Sequence, residues 1–223
     1  MATRQVLAEL TQAFAQQSGI PVDIESVGGV DAAKRVQAGE AFDVVILGSD
    51  AIDKLIAAGH AHAGSRVDLV RSGVAVAVRE GTAVPNISSE EAVKQAVLAA
   101  SSISYSTGPS GVALAKLFEK WGIAQQIQSR MVQAPPGVPV GSLVAKGEVA
   151  LGFQQLSELL NVPGITIVGP LPDAIQITTI FAAALPTVLL KDSPQAARVQ
   201  ALLNHMVSPQ AADAKLRQGM TPA

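Results

Sequence analysis

The residues best suited to chemistry are small and neutral: Ser104-Tyr105-Ser106-Thr107-Gly108-Pro109-Ser110-Gly111, leading directly into an amphipathic run over Val112–Gly122. An apolar strand runs into a turn of hydroxyl residues and glycines, and a helix then opens. The first turn of a helix has unpaired backbone N–H groups and the positive end of the helix dipole. Glycine lets an anion approach that backbone, and Ser106, Thr107 and Ser110 add hydroxyl donors. Glycine turns recur at Gly28-Gly29 and at Gly137-Val138. The chemistry these segments point to is the holding of a small anion. The same three hydroxyls also suit plain helix capping, which uses the same geometry.

Other side chains fit that chemistry less selectively. Arg71 lies between two apolar runs, where a guanidinium either forks onto a carboxylate or ends a strand in solvent. Arg4 at the first helix, and Lys34 or Arg35 one turn after Gly28-Gly29, carry the same two readings. Tyr105 is the single tyrosine and ends a strand, where it either meets a ligand or packs with its hydroxyl satisfied. Gln154 and Gln155 follow an apolar strand and offer amides. His60 and His62 lack the clustered partners of a metal site and read as solvated. Gly108-Pro109-Ser110-Gly111-Val112 is no nucleophile elbow, because valine stands where the second glycine belongs. No Gly-Lys-Ser/Thr phosphate loop is present. No cofactor is expected.

These residues must be positioned by a sizeable core. The chain has 223 residues, 48% hydrophobic and 15% charged, with net charge −2 and no cysteine. That composition is globular, excludes thiolate metal sites and lacks the basic footprint of a nucleic-acid binder. No apolar stretch is long enough to span a bilayer. The pattern alternates. Strands are expected at Val22–Val27, Asp43–Leu47, Val67–Val70, Gly73–Val78, Ser102–Tyr105, Met131–Ala134, Val149–Phe153, Ile165–Val168 and Ile175–Ala184. Helices are expected at the start (Val6, Leu7, Leu10, Phe14 at helical spacing), then at Asp31–Ala38, Asp50–Ala58, Glu90–Ala99, Ser110–Trp121, Ala124–Arg130, Pro139–Lys146, Gln155–Leu160, Pro194–Val207 and Pro209–Gln218. This is an α/β pattern of parallel sheets flanked by helices. Crossings near Arg79–Asn86 and Val162-Pro163-Gly164 cut it into a discontinuous lobe (1–80 plus 165–223) and an inserted lobe (81–164).

Several motifs in order resemble the type II periplasmic substrate-binding proteins, in the molybdate-binding-protein-like branch. They are Ala2-Thr3, Val27-Gly28-Gly29-Val30, Phe42-Asp43-Val44-Val45-Ile46-Leu47, Gly108-Pro109-Ser110-Gly111 and Ala145-Lys146-Gly147-Glu148-Val149-Ala150-Leu151-Gly152-Phe153. Gly152–Leu159 and Val168-Gly169-Pro170-Leu171-Pro172 are most similar to members related to aconitate isomerase. The resemblance implies a two-lobed fold that closes over a small anion, a periplasmic address and a membrane ABC permease as partner. It also implies a first strand ahead of Ala2 that this sequence lacks, with two neighbouring strands left unmatched.

The anion contacts that the family implies fall on Thr3, Gly28 or Gly29, Ser110, Val138 and Gln155. Glycine, at 28 or 29, stands where the family often has serine, and Gln155 stands where molybdate binders have tyrosine. Both departures favour an organic polycarboxylate over a bare oxyanion such as molybdate or tungstate. Binding without turnover is the first expectation. An isomerase on the same scaffold is the second, with Tyr105, Lys34 or Glu158 moving the proton and Arg4, Arg35 and Arg71 clamping carboxylates.

Overall fold

The computed structural model describes residues 1–135 and 137–223. The chain divides into two compact units, Met1–Arg71 with Thr179–Ala223, and Ser72–Thr178. The divisions fall inside the strand Val67–Arg79 and at the start of the strand Thr178–Ala184, rather than at the loops near 80 and 164 that the sequence points to.

In the first unit, α1 (Arg4–Ser18) packs Val6, Leu7, Leu10 and Phe14 against α9 (Pro194–Val207) and α10 (Ala212–Arg217). These apolar residues recur every three to four positions, so one helix face buries them together. Strand β1 (Val45–Gly48) pairs antiparallel with β7 (Thr178–Ala184), and α2 (Gly29–Gln37) and α3 (Ser49–Ala57) cover it through Val36, Ile52 and Leu55. In the strand order β7 is followed by β2 (Val67–Arg79), which also takes the short β8 (Met220–Pro222).

Two sequence expectations need correction here. Val22–Val27 forms no strand. A strand requires a neighbour to complete its backbone bonds, and no described segment ladders with it. Val67–Val70 and Gly73–Val78 are one strand rather than two. Gly73 does not turn the chain; it makes room for Gln176, whose side chain would lie 3.2 Å from a Cβ there and whose Oε1 accepts the Val74 N–H at 2.9 Å.

Lys215 is buried in this unit, and its Nζ donates a 2.8 Å bond to the Leu69 carbonyl. Burial holds its pKa below the ordinary lysine value of 10.5. Between its folded-state pKa and 10.5 the unfolded chain binds more protons than the folded one, so stability rises with pH across that window. Lys215→Met is expected to flatten this slope in urea midpoints measured up to pH 10.5. It also strands the Leu69 carbonyl, a loss of about 1 kcal/mol.

The second unit is built on β5 (Leu151–Gln155), flanked by β2 antiparallel and β3 (Ile103–Tyr105) parallel. Strand β4 (Met131–Gln133) pairs parallel with β3, and β6 (Ile165–Pro170) pairs antiparallel with β2. The parallel strands β5, β3 and β4 thus reach one edge of the sheet, and β2 joins them antiparallel on the other side. One face carries Val74, Val76, Phe153 and Leu151 against Phe118 and Leu114 of α5 (Pro109–Lys120), Val93 and Val97 of α4 (Glu90–Ala99), and Ile127 of the short α6 (Ala124–Ile127). Ser89 caps α4, accepting the Ala92 N–H at 3.1 Å. The other face is covered by α7 (Val140–Ala145) and α8 (Leu156–Leu159). Gly152 sits beneath α7, where a Cβ would approach Val144 Cγ2 to 2.6 Å and Val140 Cγ1 to 2.9 Å.

Candidate functional site

The parallel ladders decide which segments meet. Register pairs Tyr105 with Phe153 and Tyr105 with Gln133, so β4 and β3 end together and β5 runs two residues on, to Gln155. Past those ends the chain continues into the turn before α7, the loop 106–108 before α5, and Gln155 before α8. The carboxyl edge of parallel strands is where open α/β sheets bind ligands. Ser106, Thr107, Ser110, Val138, Gln154 and Gln155 therefore share one end of this sheet.

At α5 the helix start is tightly drawn. Gly108 is the cap residue with no side-chain cap, and its carbonyl accepts the Gly111 and Val112 N–H groups at 3.0 and 3.2 Å. Pro109 contributes no N–H, which leaves the Ser110 N–H as the forward-facing donor of the first turn. Ser110 is buried, with its Oγ 3.4 Å from Ser106 Oγ, while Thr107 is exposed. Val138, 37% exposed, donates its N–H to Pro135 O at 3.0 Å.

Strand β5 runs two residues further than the sequence indicates, so Gln154 and Gln155 are strand residues on opposite faces. Gln154 Oε1 accepts the Gly141 N–H of α7 at 3.3 Å. Gln155 is 2% exposed, and its Oε1 has no partner among the described residues. Ser72 Oγ, Ser104 Oγ and Ser157 Oγ are buried and equally unpartnered among them. An unpaired buried polar group costs about 1–3 kcal/mol. They are not one cluster: Ser104 registers with Gly152 on one face of the sheet, and Gln155 lies on the Phe153 face.

Glu158 is half-buried, and burial pushes its carboxyl pKa above the usual range. No cationic side chain pairs with it among the described residues. Tyr105 belongs to the other face. Its ring packs with Phe118, Ile127 and Met131 and lines a hollow of about 390 Å³.

In the first unit the sequence-named residues are more dispersed. Thr3 is buried at the start of α1 and Arg4 beside it is exposed. Gly28 has φ −58° and ψ 140°, a conformation open to any residue, and a Cβ would meet only the movable Asp31 carboxylate at 3.3 Å. Neither strain nor crowding by the fold demands glycine there. Gly29 opens α2 and is exposed. Arg35 is engaged by Glu25, at 2.7 and 2.9 Å, and by Glu40, and it lies over the Phe42 ring. Arg71 is exposed on β2. His62 Nε2 bonds Leu189 O at 2.7 Å. Among the described residues no cluster of His, Cys, Asp and Glu suits a metal, and no helix is long and apolar enough to cross a membrane.

A family model of bacterial extracellular solute-binding proteins matches residues 1–221. The chain belongs to that family. Among its relatives, an aconitate isomerase of Pseudomonas sp is 41% identical over 97% of this chain and 83% of its own length. The periplasmic molybdate-binding protein of Azotobacter vinelandii superposes with a TM-score of 0.77 at 22% identity, covering 100% of this chain and 96% of that one. The tungstate-binding protein TupA of Desulfovibrio alaskensis superposes with a TM-score of 0.69 at 16% identity, covering 97% and 92%. The fold is thus the two-lobed fold of type II periplasmic binding proteins, as the sequence motifs imply. The signal for Glu158 and Ser72 was weak in sequence: a carboxylate just past a buried strand, and a serine inside a valine-rich one.

Proposed function

We propose that the anion taken by this solute-binding protein is a tricarboxylate of the aconitate type, and that the protein moves its double bond. The observation that carries the reading is the 41% identity, along nearly the whole chain, to a relative named aconitate isomerase. The site chemistry supports it. Neutral donors at the start of α5 suit carboxylate oxygens, and Gln155, whose buried Oε1 has no partner among the described residues, offers its amide at the same sheet end.

A second reading is binding without turnover, the loaded protein being received by an ABC permease at the periplasmic face of a membrane. The whole-chain match to extracellular solute-binding proteins favours it. Gln155, in place of the tyrosine of molybdate binders, weighs against molybdate or tungstate as cargo.

Titration calorimetry with molybdate, sulfate, citrate and both aconitate isomers, together with absorbance of each isomer over time, separates the readings. The expected result is affinity for the tricarboxylates and interconversion of the isomers. Binding of aconitate with both isomers unchanged leaves the carrier reading; tight molybdate binding alone overturns the carboxylate assignment.

A further inference from the structure

We propose that Ser72 is a further binding residue, its hydroxyl donating to a carboxylate oxygen of the ligand beside the Gln155 amide; this deepens the tricarboxylate reading above and rests on it. Two buried polar side chains point to the site. Ser72 is 0% exposed and Gln155 2% exposed, and neither Ser72 Oγ nor Gln155 Oε1 has a partner among the described residues. The β2–β5 register brings them to one place. Val74 pairs antiparallel with Gln155, so those two side chains stand together on one face of the sheet. Ser72 lies two residues from Val74 on the same strand and by alternation shares that face. It is therefore the diagonal neighbour of Gln155, at a spacing of roughly 7–8 Å that leaves room for a carboxylate between them. An amide carries two donors as well as its acceptor, so rotation about its last bond presents N–H groups to the same carboxylate.

This face is the one α5 covers, with Val74, Val76 and Phe153 packed among Leu114 and Phe118. From the Phe118–Phe153 contact, α5 leads back to its start at Pro109-Ser110 and β5 leads on to Gln155, both toward the carboxyl end of β3 and β5. The other two unpartnered serines lie elsewhere. Ser104 registers with Gly152, which sits beneath α7 on the opposite face, and Ser157 belongs to α8, whose Leu159 packs on Ala75 and Ala77. Where a buried hydroxyl serves the fold it is tied to a carbonyl, as Thr11 Oγ1 is to Leu7 O at 2.8 Å. Ser72 has no such tie, and Val74, Val76 and Val78 follow it at every second position of β2. The fold gains nothing from desolvating a hydroxyl there, whereas a bound carboxylate gains a donor. The Ser110 N–H and the Ser72 hydroxyl then come from a helix and from a sheet. Donors on two separate elements suit a ligand whose carboxylates are spaced along a carbon chain.

The test is calorimetry of the full chain with trans-aconitate and the saturated propane-1,2,3-tricarboxylate, alongside denaturant midpoints. Ser72→Ala is expected to weaken binding of both about tenfold or more, as loss of a hydrogen bond to a charged group does. Its midpoint is expected to stay at or above that of wild type, because an unpaired buried hydroxyl has been removed. Ser104→Ala makes the same deletion on the opposite face and is expected to bind within about twofold of wild type. Wild-type affinity in Ser72→Ala overturns the proposal and leaves the tricarboxylate reading intact. An equal loss of affinity in Ser104→Ala, or a lowered midpoint in Ser72→Ala, also overturns it, since either makes the role of the hydroxyl structural. Wild-type protein that binds neither tricarboxylate removes that reading and this proposal together.

Discussion

Gly111→Ala is expected to destabilise the protein by about 3 kcal/mol and abolish tricarboxylate binding. A Cβ at this position would lie 1.8 Å from the Ser106 carbonyl oxygen, 2.8 Å from its carbonyl carbon and 3.1 Å from Tyr105 Cδ2. Two of those three atoms are backbone, so no rotamer change relieves the overlap. Either α5 lifts from β3 or the loop after Tyr105 is rebuilt, and both move the Ser110 N–H. Gly108→Ala is the matched control. Its Cβ would meet only Ser106 Oγ at 3.6 Å, and its φ of −77° and ψ of −177° suit alanine. That variant is expected to stay within about 0.5 kcal/mol of wild type and to bind. Denaturant midpoints and calorimetry on the pair check both outcomes, and equal behaviour of the two variants would show that close packing at Gly111 does not shape the loop.

The contrast between those glycines explains what the sequence could and could not reveal. Both look like helix-start glycines in Gly108-Pro109-Ser110-Gly111, and the motif identifies the loop correctly. Only the fold shows that one of them is pressed against a carbonyl. Helices were readable from their own periodicity: α1, α4, α5 and α9 fall within a residue or so of where apolar spacing and caps put them. Strands depend on partners far away in the chain. Val22–Val27 has strand composition and no ladder, and β2 continues through Gly73 because Gln176, more than 100 positions later, fills the space a side chain would take. The site divides in the same way. The donors of the α5 start are local and could be named. The Gly141–Gln154 bond needs α7 folded over β5, and the orientation of Tyr105 away from it depends on which sheet face α5 occupies. Alternation puts Gln154 and Gln155 on opposite faces but does not say which face a ligand shares.

Phe118→Ala is expected to cost about 3–5 kcal/mol, the range for deleting a fully buried aromatic ring. Phe118 is 1% exposed on α5, edge-on to Phe153 of β5 with ring centroids 6.0 Å apart and tilted against Trp121 at 5.8 Å. Trp121 in turn donates to Glu90 of α4, so the ring ties one sheet strand to two helices. Its loss leaves a cavity behind the same β5 that carries Gln154 and Gln155 two residues on. Phe118→Leu keeps much of the volume and is expected to lose less than half as much. If α5 is held against the sheet mainly by this contact, Phe118→Ala weakens tricarboxylate affinity even well below its midpoint, where the chain is folded. If affinity is unchanged there while the midpoint falls, the loop 106–110 is held from its own end, by the Gly111 approach to Ser106. Stability and binding would then rest on opposite ends of one helix.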